Sequence, residues 1–174
     1  MTDAYQPIPD DKDWTWVIDQ GCPECGFEPQ DPPVTGARLT ATIPRWQAVL
    51  ARADVAIRPE PRVWSPLEYA CHVRDVCRLF ERRLELMLET DDPTFDNWDQ
   101  DETAIAEDYA HQDAVAVATE LTEAAESVSI AFDRVRDEEW GRPSRRSNGS
   151  RFSVSSFAVY FLHDVEHHLH DVAG

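Results

Sequence analysis

Four of the six histidines of this chain lie within residues 161–172, which read F-L-H-D-V-E-H-H-L-H-D-V. The stretch has no glycine or proline, and its apolar residues recur at spacings of three and four, which predicts a helix. On a helix His163 and His167 lie one turn apart on the same face and can bind one ion together. His170 continues this stripe and can take the place of His167, whereas His168 is rotated by about 100°. We expect His168 and His170 to face solvent, so His163 and His167 supply half of a metal site.

A second pair of potential metal ligands is Cys22 and Cys25, in the sequence C-P-E-C-G. This spacing is typical of one half of a structural zinc site, which needs four ligands. Cys71 and Cys77 do not complete it, because residues six apart on a helix point about 240° apart. A redox dithiol and a site shared with another subunit remain open. We favour a tight turn that carries two reduced thiols.

The charge balance excludes several classes of function. The 174 residues include 16 basic and 34 acidic ones, a formal charge of −18. Such a chain lacks the basic surface that binding to nucleic acid or to an anionic membrane requires. It has no apolar run of about 18 residues that would span a bilayer, and its first residues do not have the pattern of a secretory signal. We therefore expect a cytoplasmic protein with reduced cysteines.

The elements that position the histidines are predicted to be four helices. The first runs over 36–52 and is split or kinked by Pro44. The second begins after Ser65, where S-P-L-E forms a capping box, and continues to about Glu89. The third covers 113–136, and the fourth carries the histidines after a cap at Ser153 or Ser155. The predicted organisation is an irregular segment over 1–34 that contains the C-P-E-C turn, followed by an all-α four-helix bundle over 35–174.

The long connection between the second and third helices determines the predicted topology. It has roughly 23 residues, far more than antiparallel neighbours in a bundle need, so it can cross the length of the bundle and leave these two helices parallel. The second and fourth helices are then antiparallel. The start of the second, with His72, lies level with the end of the fourth, with His163 and His167. Three neutral imidazoles with one open position are typical of a catalytic metal centre.

These features resemble a known family over residues 36–172. The capped start W-S-P-L-E at 64–68, the H-V-R-D at 72–75 and the H-x-x-x-H at 163–167 are similar to the DinB-like metal-binding four-helix bundles. That superfamily includes mycothiol- and bacillithiol-dependent S-transferases and the metal domain of maleylpyruvate isomerases. The cysteine pair lies outside the part of the chain that shows this resemblance.

The resemblance implies a divalent ion, zinc or nickel, bound by His72, His163 and His167. The implied activity is transfer of a low-molecular-weight thiol such as mycothiol onto an electrophile, or a thiol-dependent isomerisation. A metal ion would lower the pKa of the thiol. Asp75 is the candidate catalytic base or orienting partner of a ligand histidine, a role open also to Asp164 and Glu166. The alternative is a non-catalytic, metal-stabilised bundle that binds a small molecule or a partner.

The expected partners are therefore a small thiol and an electrophile, without nucleic acid or membrane, and a homodimer is compatible with the sequence. Four arginines lie close together before the fourth helix, at positions 142, 145, 146 and 151. They either hold an anionic substrate or pair with the acidic body of the protein, and we favour pairing. Trp98 and Asp99 are expected to pack within the crossover loop.

Overall fold

The computed structural model of the chain describes residue 8 and residues 12–174. The other residues of the predicted N-terminal segment, 1–7 and 9–11, lie outside the described part. Seven α-helices and three short strands follow one another in the described residues: α1 (Val17–Gln20), α2 (Thr35–Thr40), α3 (Ile43–Leu50), α4 (Pro66–Glu89), β1 (Thr94–Phe95), α5 (Gln100–Ala106), α6 (Ala114–Asp133), β2 (Pro143–Arg146), β3 (Arg151–Ser153) and α7 (Val154–Asp171).

The predicted split of the first helix is confirmed. Helix α2 ends at Thr40 and α3 begins at Ile43, so Pro44 occupies the first turn of α3. A proline is tolerated there, because the first backbone N–H groups of a helix have no intrahelical partner. Together α2 and α3 form the first column of the bundle.

The predicted capping box at the start of α4 is also confirmed. The Ser65 hydroxyl accepts a hydrogen bond from the Glu68 backbone N–H, and the Glu68 carboxylate accepts one from the Ser65 N–H at 2.8 Å. Arg58 binds the same carboxylate from the preceding loop. These contacts fix the first turn of α4, one turn before His72.

Contacts between helices establish the predicted crossover topology. Helices α4 and α6 are parallel, since Arg74 binds Glu120 and, seven residues further along both helices, Glu81 binds Ser127. Helices α4 and α7 are antiparallel, since Phe80 packs on Phe157 and Phe161 while His72, earlier in α4, contacts Asp164, later in α7. The chain is therefore a four-helix bundle in which α4 and α6 run parallel after a long crossover.

Stacked aromatic rings fill the core between the three long helices. The ring of Phe80 lies 4.5 Å from that of Phe157 and 5.0 Å from that of Phe161. Phe161 stacks in turn on Phe132 of α6 at 5.5 Å. All four side chains are buried, and each aromatic pair adds about 0.5–1.5 kcal/mol beyond its buried area. This packing fixes the rotation of α7, and with it the direction of each histidine.

A small sheet, which the sequence did not predict, closes one end of the bundle. Strand β1 of the crossover pairs parallel with β2, and β2 pairs antiparallel with β3 through the Asn148–Gly149 turn. Each strand has only two to four residues, too few to show an alternating pattern. Phe95 and Phe152 pack on Phe157, so the sheet anchors the first turns of α7. Within residue 8 and residues 12–174, no helix combines the length and apolar character needed to cross a bilayer.

Candidate metal centres

Helix α7 presents two pairs of polar side chains on two different faces. His163 and His167 form one i,i+4 pair, and Asp164 and His168 form another, one residue later in the chain. Successive residues of a helix are rotated by about 100°, so the two pairs diverge. The first pair faces the N-terminal segment and the second faces α4.

The first cluster, which we call the Cys-His cluster, consists of Cys22, Cys25, His163 and His167. One potential ligand atom from each of these residues lies within 4.8 Å of those of the other three. The Cys22 Sγ atom is 3.7 Å from Nδ1 of His167. Cys22 and His163 are buried, and neither cysteine forms a disulfide. The cluster therefore brings two thiols of the N-terminal segment next to two imidazoles of α7, although the two pairs are far apart in the sequence.

The local fold of the N-terminal segment directs both cysteines toward α7. The Cys22 N–H donates to the Phe27 carbonyl, and the Gly26 N–H donates to the Cys22 carbonyl, each at 2.8 Å. Gly21 and Gly26 adopt positive φ angles of 69° and 75°, which favour glycine. A Cβ atom at Gly21 would lie 2.6 Å from the Phe27 backbone oxygen, so the turn also requires a residue without a side chain at this position.

Aromatic side chains surround the histidines of the Cys-His cluster. The Trp14 ring lies 5.3 Å from His163 and 4.9 Å from His167, and Phe27 lies 5.2 Å from His163. Burial, followed by the nearby His167, lowers the pKa of His163 to about 4. Its Nε2 atom is buried and has no hydrogen-bond partner among the described residues. A neutral imidazole with an unpaired buried nitrogen is suited to ligate an ion.

The second cluster, which we call the His-Asp cluster, consists of His72, Asp164 and His168. The Asp164 Oδ1 atom lies 3.3 Å from Nε2 of His72 and 3.7 Å from Nε2 of His168. Burial lowers the pKa of His72. For Asp164 burial acts to raise the pKa, but the hydrogen bond with His72 and the charges of the histidines outweigh it and lower the pKa to about 2. The cluster therefore offers one carboxylate and two imidazoles.

Asp171 contacts a histidine of each cluster. Its carboxylate lies 3.0 Å from Nδ1 of His168 and 3.7 Å from Nε2 of His167. A carboxylate on the far ring nitrogen of a ligand histidine fixes the tautomer and the ring orientation. Asp171 thereby leaves Nε2 of His168 for the His-Asp cluster and Nδ1 of His167 for the Cys-His cluster.

A cavity of about 510 Å³ opens beside both clusters, and its wall includes Asp164 and His168 of the His-Asp cluster and His163 and His167 of the Cys-His cluster. The ring of Trp98, another wall residue, stacks on His72 with centroids 5.3 Å apart and planes inclined by 9°. Trp98 therefore contributes to the site rather than only to loop packing. The cavity has the size of a small-molecule site.

Two arginines in the cavity wall, Arg83 and Arg146, have no carboxylate partner among the described residues. Arg83 donates to the Asp96 carbonyl, and Arg146 donates to Asn148, Ser150 and Tyr160. Burial, followed by the charge of Arg146, lowers the pKa of Arg83 to about 10. Arg83 and Arg146 thus present two neighbouring guanidinium groups to a cavity whose wall also carries aspartates, and their planar donor groups suit an anion.

The other arginines before α7 pair mainly as expected with the acidic body. Arg142 binds the Met87 and Thr90 carbonyls and Asp91, and Arg145 binds Asp92. Of the four arginines, Arg146 alone lines the cavity.

The structure does not assemble the predicted single site of His72, His163 and His167. It brings His163 and His167 together with the two cysteines and places His72 with Asp164 and His168. The physical reason is the rotation of α7 about its own axis. The packing of its apolar face directs Asp164 and His168 toward α4, and His163 and His167 toward the N-terminal segment. His168 is correspondingly not solvent-facing, with 14% of its side chain exposed, whereas His170 is exposed as expected.

Asp75, the predicted catalytic or orienting residue, has other contacts. It binds the guanidinium of Arg74 at 2.9 Å and accepts a hydrogen bond from the Tyr109 hydroxyl at 2.5 Å. Arg78 approaches it at 3.3 Å. These partners fasten the crossover to α4, and no direct contact joins Asp75 to a histidine of either described cluster.

The sequence contained signals for the residues that were overlooked. Cys22 and Cys25 are separated by two residues and His163 and His167 by three, which matches the ligand spacing of Cys₂His₂ zinc sites. The second ligand pair is not a pair of cysteines but the two histidines of α7, and His167 lies 145 residues after Cys22. Asp164 and His168 have the same i,i+4 spacing as the predicted histidine pair and differ only in offering one carboxylate.

Comparisons with known proteins agree with the fold. The DinB superfamily profile matches residues 50–172. The solved structure of YfiT from Bacillus subtilis, described as a probable metal-dependent hydrolase with an unusual four-helix bundle topology, superposes with a TM-score of 0.67. The two sequences are 12% identical, and the alignment covers 97% of this chain and 92% of YfiT. The comparison with curated protein sequences gives no match.

Proposed function

Because the chain belongs to the DinB superfamily, we propose that it is a metal-dependent enzyme whose catalytic ion is held by His72, Asp164 and His168. The observation that carries the proposal is the convergence of these donors at 3.3 and 3.7 Å beside a cavity. Tetrahedral ligands at about 2.0–2.1 Å from zinc are separated by about 3.3 Å. The Asp164 oxygen is therefore within a few tenths of an ångström of this separation from both imidazole nitrogens, and the two nitrogens lie within 4.8 Å of each other.

The residues around the His-Asp cluster would orient these donors. Asp171 holds Nδ1 of His168, which directs the Nε2 lone pair toward Asp164. Trp98 and Trp64 enclose the ring of His72, which is fully buried, and thereby keep water from it. With three protein donors, a tetrahedral ion keeps one position for a substrate or water. A divalent ion there would lower the pKa of a thiol or water that it coordinates.

The substrate that this cavity fits best is a small anionic electrophile. Arg83 and Arg146 would bind its carboxylate or phosphate, since guanidinium groups donate two parallel hydrogen bonds to such groups. Both line the same cavity as Asp164 and His168. The anionic end would thus be held at one part of the wall while the reacting carbon faces the His-Asp cluster.

For the reaction itself we propose transfer of a low-molecular-weight thiol, such as mycothiol, onto this electrophile or an isomerisation that uses the thiol. The support is the family membership together with the size of the cavity, which is in the usual range of small-molecule sites. Zinc and nickel are the proposed ions, because imidazole nitrogen suits both.

A second candidate is hydrolysis, with water in the place of the thiol. It is favoured by the carboxylate of Asp164, because two histidines and one carboxylate form the ligand set of several hydrolytic zinc enzymes. The description of YfiT as a probable metal-dependent hydrolase points in the same direction. A coordinating carboxylate also neutralises part of the ion's charge, which weakens its attraction for a thiolate.

The test compares both reactions on the zinc- and nickel-loaded protein. Mycothiol and related thiols are supplied with monochlorobimane, and a panel of anionic esters and amides is supplied without thiol. We expect turnover that chelation abolishes, that His168→Ala removes and that His170→Ala, on the exposed face of α7, retains. Thiol-dependent turnover supports S-transfer, and turnover without thiol supports hydrolysis. If neither reaction exceeds the background rate, a non-catalytic metal-stabilised bundle replaces the enzyme proposal.

A further inference from the structure

We propose that Cys22, Cys25, His163 and His167 bind a structural zinc ion that fastens the N-terminal segment to α7. This site is separate from the His-Asp cluster and shares no ligand with it. Four protein ligands fill a tetrahedral zinc ion, so no position remains for a substrate. The site therefore has a structural rather than a catalytic composition.

The distances within the Cys-His cluster are close to those that zinc requires. With Zn–S of about 2.3 Å and Zn–N of about 2.0–2.1 Å, a sulfur and a nitrogen ligand in a tetrahedron lie about 3.6 Å apart. The Cys22 Sγ to His167 Nδ1 distance is 3.7 Å. Since the four candidate atoms lie within 4.8 Å of one another, the remaining pairs need a contraction of about 1.5 Å at most.

The orientation of both imidazoles supports the same assignment. His167 directs Nδ1 toward Cys22, while its Nε2 faces Asp171, the arrangement typical of a ligand histidine with a carboxylate behind it. His163 is 4% exposed and leaves a buried nitrogen without a partner in the described part of the chain. Burying a polar group without a hydrogen bond is unfavourable, and an ion in the cluster would remove this cost.

The charge of the donor set favours zinc in this environment. Two thiolates neutralise the double positive charge of the ion, so the complete site is neutral and can be buried beside Trp14 and Phe27 at low cost. Mixed sulfur and nitrogen donors in a tetrahedral arrangement are typical of zinc sites. Calcium and magnesium, which take oxygen ligands, do not fit this set.

The zinc ion would also shape the cavity of the His-Asp cluster. Trp14 contacts both histidines of the Cys-His cluster and lines the cavity together with Lys12. The ion would hold the turn after α1 against α7, and with it this part of the cavity wall. Loss of zinc from the Cys-His cluster is therefore expected to loosen the wall without removing any donor of the His-Asp cluster.

The test uses cobalt(II) as a spectroscopic probe in the full chain. Thiolate ligands give cobalt an intense charge-transfer absorption in the near ultraviolet, which nitrogen and oxygen donors do not give. We expect this band in the wild type and in His72→Ala, and its loss in Cys22→Ser/Cys25→Ser. The matched control is Cys71→Ala/Cys77→Ala, which changes two cysteines outside the cluster and should keep the band. Absence of the band from the wild type, or its survival in the double serine variant, would overturn the proposal.

A second measurement on the wild type covers the case in which the double serine variant does not fold. Zinc should protect Cys22 and Cys25 from alkylation, and a chelator should expose both at once, with release of about one equivalent of zinc. Mass spectrometry of peptides locates the modified residues. Equal alkylation with and without zinc, or a Cys22–Cys25 disulfide in the freshly isolated protein, would contradict the assignment.

Discussion

His163 and Asp164 are neighbours in the chain, but their side chains belong to different clusters. The rotation of about 100° between successive helical residues separates them, and the i,i+4 spacing gives each a histidine partner one turn later. A stretch of twelve residues can therefore carry two sites on one helix. Asp171, at the end of the stretch, contacts a histidine from each cluster.

This arrangement predicts that Asp171→Asn weakens both sites at once. The variant removes the charge behind His167 and His168 and keeps the size of the side chain. Loss of such an orienting partner typically lowers metal affinity by about 10- to 100-fold. Competition with a chromophoric chelator would measure both affinities, and Asp19→Asn, an exposed aspartate on α1, is the control. Unchanged affinity at both sites would show that Asp171 does not orient the ligands.

At the scale of the residue, the sequence identified the histidines but not their grouping. The i,i+4 pattern is present twice in the stretch, once as His163 and His167 and once as Asp164 and His168, and spacing alone does not distinguish the two. Only the packing of Phe157 and Phe161 decides which stripe faces α4. A contact between residues 145 positions apart, such as that of Cys22 with His167, cannot be obtained from local spacing alone.

A capping box formed by Ser65 and Glu68 holds the start of helix α4. The contribution of this cap to the stability of the fold depends on pH, because the Glu68 carboxylate can be protonated. The carboxylate is 3% exposed and binds Arg58 at 2.5 Å. Burial acts to raise its pKa, but the hydrogen bonds from Arg58 and Ser65 outweigh burial and lower the pKa below its ordinary 4.5. A lowered pKa stabilises the folded state above pH 4.5, and this contribution is lost as the pH falls through the folded-state pKa.

We therefore predict that Glu68→Gln reduces the free energy of unfolding by about 1.5–3 kcal/mol near neutral pH, the usual range for a hydrogen bond to a charged group. The difference from the wild type should shrink below about pH 4.5, because the wild-type carboxylate becomes neutral there. Urea unfolding at a series of pH values measures this difference. Glu102→Gln, at the same position of the exposed helix α5, should have little effect. A difference that does not change with pH would contradict this account of the cap.

At the scale of the element, local signals predicted the long helices well. Ser65, Pro66 and Glu68 mark the start of α4, Ser153 marks the start of α7, and Pro44 separates α2 from α3. The three strands escaped prediction because they are too short for a pattern and depend on pairing between the crossover and the hairpin. Helix α5 lies within the same crossover and was also not predicted.

The whole bundle depends on close contact between its columns, most directly at Gly36. This glycine lies in the first turn of α2, where a Cβ atom would be 2.7 Å from the Ser129 backbone oxygen and would also meet the Asp133 carboxylate. One turn later, Thr40 Oγ1 lies 3.3 Å from the Ser129 hydroxyl. The absent side chain thus permits the approach of α2 to α6.

We predict that Gly36→Ala destabilises the protein by about 1–3 kcal/mol, the usual cost of overpacking. The sign of this change in stability is informative. Alanine is a better helix former than glycine by up to about 1 kcal/mol, so without the close contact the substitution would stabilise α2. Thermal unfolding provides the measurement, with Gly141→Ala as control, since no atom lies within 4 Å of a Cβ there. An increase in the stability of Gly36→Ala would show that the two helices are not in such close contact.

The topology of the molecule is the part of the fold that the sequence predicted best. A crossover of about 23 residues is long enough to traverse the bundle, and the contacts of Arg74 with Glu120 and of His72 with Asp164 have the predicted directions. This topology brings the start of α4 to the end of α7, as the metal hypothesis required. The N-terminal segment, predicted only as irregular, supplies the two remaining ligands.

The two proposals together place two separate ion sites on α7, one on each of two faces. Anomalous diffraction at the zinc edge, from crystals grown with zinc, tests this arrangement most directly. We predict two zinc peaks per chain, one coordinated by Cys22, Cys25, His163 and His167, and the other by His72, Asp164 and His168. A single ion coordinated by His72, His163 and His167 together would contradict this account.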